Sequence, residues 1–262
     1  MAGSSQAPAP TLGKARLVPT SAIYPLLRPE LRASLERGHQ ILAEGMQARS
    51  QLLRAGTVIV RQDEPHDFVH VLFTGWTARC RILPDGTRQL IAIFLPGDIF
   101  GVKSLFMHTQ PDAVMALSDV TIGSINHKAA HELAAIDPKV ALRLMFQLGE
   151  EERRLHNWCV ALGRPGIERM AMLLLDLQGR LDRLGLLQGD GFHLPMTQQD
   201  VGDRTGLSYV HVNRVLRDLR ERGVVTWQRS IVTIHDLSQL KKIALPLLDV
   251  FDRGAEGFGP PM

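Results

Sequence analysis

The chain has 262 residues, with 30 Lys and Arg against 27 Asp and Glu, a formal charge of +3. That balance excludes a surface coated in basic charge, so any contacts to nucleic acid must be concentrated in one place. A hydrophobic fraction of 45% excludes wholesale disorder, and the longest aliphatic run, Met170 to Leu175, is far short of a membrane span. The length favours two domains over one.

Residues 1–20 carry Pro, Ser, Ala and Lys without an apolar core, so they read as a disordered tail and not as a secretory signal. Residues 21–50 read as helix, on an irregular stripe of Leu26, Leu27, Leu31, Leu35, Ile41, Leu42 and Met46. The period then changes. Thr57 to Val60, Phe68 to Phe73, Trp76 to Leu83 and Gln89 to Leu95 read as short strands, and Met115 to Ile125 as a last pair. Pro84-Asp85-Gly86 is a hairpin signal, and glycines 56, 75, 86, 97 and 101 recur at roughly strand length. A domain over 21–136 built on an all-β barrel or roll is the expected architecture.

A long helix follows over 137–163. Asp137 is a suitable N-cap and Pro138 a suitable first position. Val140, Leu144, Leu148, Glu151, Leu155, Trp158 and Leu162 step by three or four, a heptad seam with one charged interruption. Two readings are open: a short coiled coil joining two copies of the chain, or a helix packed on its own domain. Gly163-Arg164-Pro165-Gly166 ends the helix and reads as a hinge.

The remainder, 164–250, is helical again, with Ile167, Met170, Leu173, Leu174 and Leu177 at helical spacing and a short strand at Phe192 to Pro195. Thr197 caps a short helix, with Asp200 three positions on as a carboxylate form of the capping box. Thr205-Gly206-Leu207 makes a tight turn, and Ser208 caps a second helix ending at Gly223. This is a helix-turn-helix pattern. In the second helix Val212, Val215, Leu216 and Leu219 form the apolar stripe, leaving Tyr209, His211, Asn213, Arg214, Arg217 and Arg220 largely outside it. Val224 to Trp227 and Ile231 to Ile234 read as a two-stranded ribbon with Arg229 at its tip. Residues 208–229 hold five Arg and two acidic residues, a local excess of +3 that equals that of the whole chain. Arginines on a helix face alone also fit a solvated surface; the turn, cap and ribbon beside them favour DNA.

The order of parts, and above all Leu194-Pro-Met-Thr-Gln-Gln-Asp and Leu207-Ser-Tyr-Val-His-Val-Asn-Arg-Val-Leu, resembles the Crp/Fnr family of bacterial transcription factors over residues 21–245. Trp158 to Gly163 with Glu168-Arg169, and Pro96-Gly-Asp-Ile-Phe-Gly101, are similar to that family's helix junction and sensor turn. The resemblance implies an α+β chain: an N-terminal cupin-like β-roll of the cyclic-nucleotide-binding type, a dimerisation helix and a C-terminal winged helix-turn-helix. It also implies a homodimer that binds double-stranded DNA at an inverted repeat, and contact with RNA polymerase if the factor activates. Thr197, Gln198 and Arg229 are the expected phosphate contacts. Arg214 is the expected guanine reader, with Ser208, Tyr209, His211, Asn213 and Arg217 beside it. Residues 251–262 are expected as a tail.

Two departures qualify the resemblance. Nucleotide-binding relatives carry a ribose-gripping Glu and a phosphate-gripping Arg where this chain has Val102 and Asp112. A carboxylate about 4 Å from a phosphate, at an effective dielectric near 20, is repelled by roughly 4 kcal/mol. The usual cyclic-nucleotide pocket is therefore expected to be absent, and no cofactor is assigned. In the recognition helix, Val210 stands where the best-known members carry Glu, so the operator core is expected to differ there.

Cys80 and Cys159, 79 positions apart, cannot supply the four thiolates of an iron–sulfur cluster, nor a disulfide framework or zinc cage. A reducing cytoplasm is expected. Cys159, among Arg153, Arg154 and His156, is a packed interface thiol or a redox-sensitive one. His66, His70 and His127 lie in or near the roll without the context of a haem ligand. No phosphate loop, nucleophile elbow or metal-spaced set points to an enzyme. The alternative function is a small-molecule sensor in which the roll does the main work.

Overall fold

A computed structural model describes residues 28–47 and 49–244. The tails expected at 1–20 and 251–262, and the apolar positions Leu26 and Leu27, lie outside the described residues. A 3-10 turn, Pro29–Leu31, leads into helix α1, Arg32–Gln47, which buries Leu35, Leu42, Ala43 and Met46. Eight strands follow: β1 Gln51–Leu53, β2 Val58–Val60, β3 Phe68–Thr74, β4 Thr77–Ile82, β5 Arg88–Phe94, β6 Ile99–Phe100, β7 Ala113–Ala116 and β8 Val120–Asn126. They form two four-stranded antiparallel sheets, ordered β1-β8-β3-β6 and β2-β7-β4-β5. The roll expected from the glycine-spaced runs is present.

Strand β3 shows why its run is apolar throughout. Val69, Val71 and Phe73 pack outward against the helices, while Leu72 packs inside the roll with Phe94, Phe100, Val114 and Ile122. Successive side chains leave opposite faces of a strand, so burial of both faces makes a continuous apolar segment. The β4–β5 hairpin turns at Pro84-Asp85-Gly86. Leu83 N–H donates to the Thr87 carbonyl at 2.8 Å and Thr87 N–H to Asp85 Oδ1 at 2.9 Å.

Helix α2, His127–Ile136, is capped by Asn126, whose Oδ1 accepts from Ala129 N–H at 2.9 Å. Helix α3, Pro138–Leu162, starts at the expected cap: Asp137 Oδ1 accepts from Lys139 N–H at 3.0 Å, and Pro138 occupies the first turn. Gly163, Arg164 and Pro165 separate it from α4, Gly166–Arg183.

The seam expected along α3 is corrected. Val140 and Leu144 are buried between α3 and the sheet that holds β3. Leu148 is half-buried against the same cluster. Trp158 is only 4% exposed, in a core shared with α4, and Glu151 is tied to Arg79 of β4 at 2.6 Å. These five face the chain's own domain, because an apolar residue every three or four positions is equally the pattern of a helix lying on its own sheet. Leu155 and Leu162 stay exposed, at 46% and 44%. They adjoin an exposed stripe with Met145, Glu152 and Cys159.

The C-terminal part comprises α4, β9 Gly191–His193, α5 Gln198–Thr205, α6 Tyr209–Glu221, β10 Val225–Gln228 and β11 Ile231–Ile234. The ribbon expected as two strands has a third. β9 pairs antiparallel with β11, Phe192 opposite Val232, giving the order β10-β11-β9.

Candidate nucleic-acid interface

Local chemistry builds the interface. Thr197 N–H donates to Asp200 Oδ2 at 2.7 Å, while Thr197 Oγ1 accepts from Asp200 N–H at 3.1 Å, a reciprocal capping box that starts α5. Gly206 ends α5 in the left-handed region, φ 66°, and Leu207 N–H donates to the Gly202 carbonyl at 3.2 Å. Gly202 permits that closeness: a Cβ there would meet the Leu207 carbonyl oxygen at 2.6 Å. Ser208 Oγ then accepts from His211 N–H at 3.3 Å and starts α6.

Helix α6 sorts by face. Val212, Val215 and Leu219 are buried in the core that α4 and α5 share. Tyr209, His211, Arg214, Arg217 and Arg220 are exposed on the opposite side. Asn213 is half-buried, and its side-chain N–H donates to the Tyr209 carbonyl at 3.0 Å. The Arg214 guanidinium contacts His211 Nε2. Arg222 is spent on Asp218 through bonds of 2.6 and 2.9 Å. Val210, absent from the expected contacts, is the apolar side chain standing furthest out on this face, at 76% exposure. An exposed Val beside Tyr209 is suited to a thymine methyl.

The other expected contacts flank this helix. Thr197 is exposed at the start of α5. Gln198 is half-buried, with its side-chain oxygen turned inward and unpartnered among the described residues. Arg229 and Ser230 form the two-residue turn between β10 and β11, with φ of 49° and 64°, which presents Arg229 at an exposed tip.

In the roll, Val102 is buried and Asp112 lies 3.9 Å from Arg81. A cavity of about 600 Å³ lies between β4, β5, α3 and α4, with the buried Arg79–Glu151 pair in its wall. Arg79 also lies over the Phe94 ring, 5.3 Å from its centroid. The histidines form protein contacts. His70 Nδ1 meets Ser124 Oγ at 2.7 Å, His70 Nε2 meets His66 Nε2 at 2.8 Å, and His127 Nε2 meets Ser104 Oγ at 2.7 Å. Burial, and then the neighbouring His66, pull the His70 pKa down to about 3. Cys80 is buried, its thiol pushed up by desolvation, whereas Cys159 is exposed on α3. Among the described residues no three His, Cys, Asp or Glu side chains are grouped to hold a metal.

Sequence reading missed the contacts between the roll and the DNA-reading unit. Arg88 Nε donates to Asp203 Oδ2 at 2.7 Å and its Nη2 bonds Asp200 Oδ1. Arg204 Nη1 donates to the Ile91 carbonyl at 2.8 Å, and its guanidinium lies 3.9 Å over the Trp158 ring. Burial pulls the Arg204 pKa down to about 10, so it remains a cation at neutral pH. Arg180 donates to Asp98 Oδ2 at 2.7 Å and to the Ile93 carbonyl at 3.0 Å. The signal in sequence was the pair of acids at 200 and 203 followed by Arg204, more polar than a short core helix needs.

Comparison with known proteins agrees with this geometry. Residues 168–243 match the family model described as a Crp-like helix-turn-helix domain, and residues 50–137 the one described as a cyclic nucleotide-binding domain. Transcriptional activator protein FnrL of Cereibacter sphaeroides is 28% identical over 192 residues, 71% of this chain and 77% of its own. Nitrogen fixation regulation protein FixK of Azorhizobium caulinodans is 29% identical over 187 residues, 71% and 75% of the two chains. The CRP-like cAMP-activated global transcriptional regulator of Mycobacterium tuberculosis is 27% identical over 87% of this chain and 94% of its own. The structure of FixK2 from Bradyrhizobium japonicum superposes with a TM-score of 0.67 at 28% identity, covering 74% of this chain and 96% of that one. The roll, the long helix, the helix-turn-helix and these matches together make the chain a DNA-binding transcription regulator similar to the Crp/Fnr family.

Proposed function

We propose that the chain is a sequence-specific, non-enzymatic cytoplasmic regulator that binds an inverted-repeat operator as a homodimer. The observation that carries the reading is the exposed face of α6, which presents Arg214, Arg217, Tyr209 and His211 while Val212, Val215 and Leu219 anchor the helix. An α-helix fits the major groove, where a guanidinium can bond guanine O6 and N7 together. Arg214 is the guanine reader; Ser208, Tyr209, His211, Asn213 and Arg217 reach neighbouring bases or phosphates. Thr197, Gln198 and Arg229 grip the backbone on either side. The dimer forms through the exposed stripe of α3, with Met145, Leu155, Cys159 and Leu162 meeting their counterparts. A two-fold dimer places two α6 helices in successive major grooves, so half-sites lie about one helical turn apart. If the factor activates, RNA polymerase is a further partner. Among the described residues no helix is long and apolar enough to cross a membrane.

Arg214→Ala tests the reading. Fluorescence anisotropy on an operator selected from random duplexes is expected to show a loss of about 1–3 kcal/mol and a relaxed preference at the guanine position. Equal losses on operator and random DNA would refute base readout.

A further inference from the structure

We infer that the β4–β5 hairpin of the roll clasps α5, the first helix of the helix-turn-helix, and so sets the operator spacing, with Arg88 as the positioning residue. This rests on the dimeric reading above. Arg88 is the first residue of β5, and it splits its fork between two carboxylates of α5: Nε to Asp203 at 2.7 Å and Nη2 to Asp200. The next residue, Gln89, donates through Nε2 to the Asp203 carbonyl. From the other side, Arg204 of α5 returns a bond to the Ile91 carbonyl at 2.8 Å, and Arg180 of α4 one to the Ile93 carbonyl at 3.0 Å. Residues 88, 89, 91 and 93 of one strand are thus each bonded to the DNA-reading unit.

The covalent link between α3 and α4 is three residues, Gly163 to Pro165. One such link is a pivot, whose few backbone torsions leave the direction of the head open. A second attachment on β5 converts the pivot into a two-point mount. The mount reaches the reading face because Asp200 belongs to the capping box of α5, and α5 packs on α6 through Val201, Leu207 and Val212. In a dimer whose axis runs along α3, the angle of each head about that pivot determines the distance between the two α6 helices. The spacing of half-sites is therefore written partly in the roll, far from any base contact. The planar fork matters: two separate carboxylates engage two different nitrogens, which the point charge of a lysine cannot reproduce.

The test measures spacing preference rather than affinity alone. The full-length protein is titrated against duplexes carrying the selected half-site as inverted repeats, with the centre-to-centre distance varied one base pair at a time, and against a single isolated half-site. Wild type is expected to favour its best spacing over one displaced by two base pairs by about tenfold or more, and Arg88→Ala to compress that ratio to about threefold or less. Isolated half-site binding stays unchanged in Arg88→Ala, which also reports an intact head. Arg88→Lys falls between, and Gln89→Ala compresses the ratio less than Arg88→Ala does. Arg88→Ala with the wild-type spacing profile overturns the inference alone. Loss of half-site binding in Arg88→Ala also overturns it, by making Arg88 a support of the head itself. A wild type with no spacing preference overturns the dimeric reading and the inference with it.

Discussion

Acid should unfold this protein in a window set by two histidines. His39 is 3% exposed in α1, beside Arg143, and its pKa is lowered to about 3 by burial and then by that guanidinium. His70, buried in β3, is lowered to about 3 by burial and by His66. Both are therefore neutral in the folded chain over the whole physiological range, while in the unfolded chain they take up protons below about 6.5. Where the unfolded state binds more protons, stability falls as pH falls. The full stability is present above pH 6.5 and is lost progressively toward pH 3. At pH 5 each group costs about 2 kcal/mol and the pair about 4, a large share of a typical stability of about 5–15 kcal/mol. Urea unfolding followed by tryptophan fluorescence at pH 7.5, 6, 5.5 and 5 measures the slope. His39→Asn and His70→Gln do not titrate, so each is expected to remove its own share of the slope, about 2 kcal/mol by pH 5, with His66 and His127, also lowered by burial, supplying part of what remains. Carboxylates do not mimic the signal: Asp98, held below the usual carboxylate range by Arg154 and Arg180 against the push of burial, acts at lower pH. Parallel slopes for wild type and both variants would refute the reasoning.

Asp98 is buried and accepts from Leu95 N–H at 2.8 Å and Arg180 at 2.7 Å, with Arg154 at 3.4 Å. Asp98→Asn leaves two guanidiniums undercompensated and is expected to cost about 3–5 kcal/mol in urea unfolding; a loss under about 1 would show that the cluster is not a structural hub. Leu155→Glu places like charges across the proposed α3 contact and is expected to shift sedimentation from dimer to monomer and to weaken operator binding more than half-site binding. An unshifted dimer would move the interface elsewhere. Peroxide is expected to weaken DNA binding of wild type but not of Cys159→Ser, read by anisotropy before and after thiol reduction; equal sensitivity in both would clear Cys159 of a redox role.

The strongest signals in the sequence were those fixed within a few residues. Asp137-Pro138, Thr197 with Asp200, and Gly206 followed by Ser208 each specify a cap or turn by hydrogen bonds that span two to four positions, and each is found in the fold. The division of α6 into an exposed and a buried face was legible for the same reason, since one helix periodicity separates Val212, Val215 and Leu219 from Arg214 and Arg217. Two things were not legible. Periodicity says that one side of α3 is apolar but not what covers it, and Val140, Leu144 and Trp158 proved to be covered by the chain's own roll and helices. Third strands and clasps are long-range: β9 joins β11 across some forty residues, and Arg88 meets Asp200 across more than a hundred.

The misread seam and the missed clasp share one physical cause, and it bears on how the domains are coupled. A helix that must serve both its own domain and a partner needs two stripes. In α3 the stripe of larger buried residues faces inward, leaving Met145, Leu155, Cys159 and Leu162 to face out. The same inward commitment puts Trp158 under Arg204, so the last turns of α3 carry load from α5 as well as from the roll. The Arg79–Glu151 pair ties α3 to β4, and a shift of α3 against that strand would also carry the Trp158 ring on which Arg204 of α5 lies. The ion pair between sheet and long helix, the ring under Arg204 and the fork of Arg88 all lie where the roll, α3 and α5 meet, so a double-mutant cycle between Arg79 and Arg88 reads whether they act together.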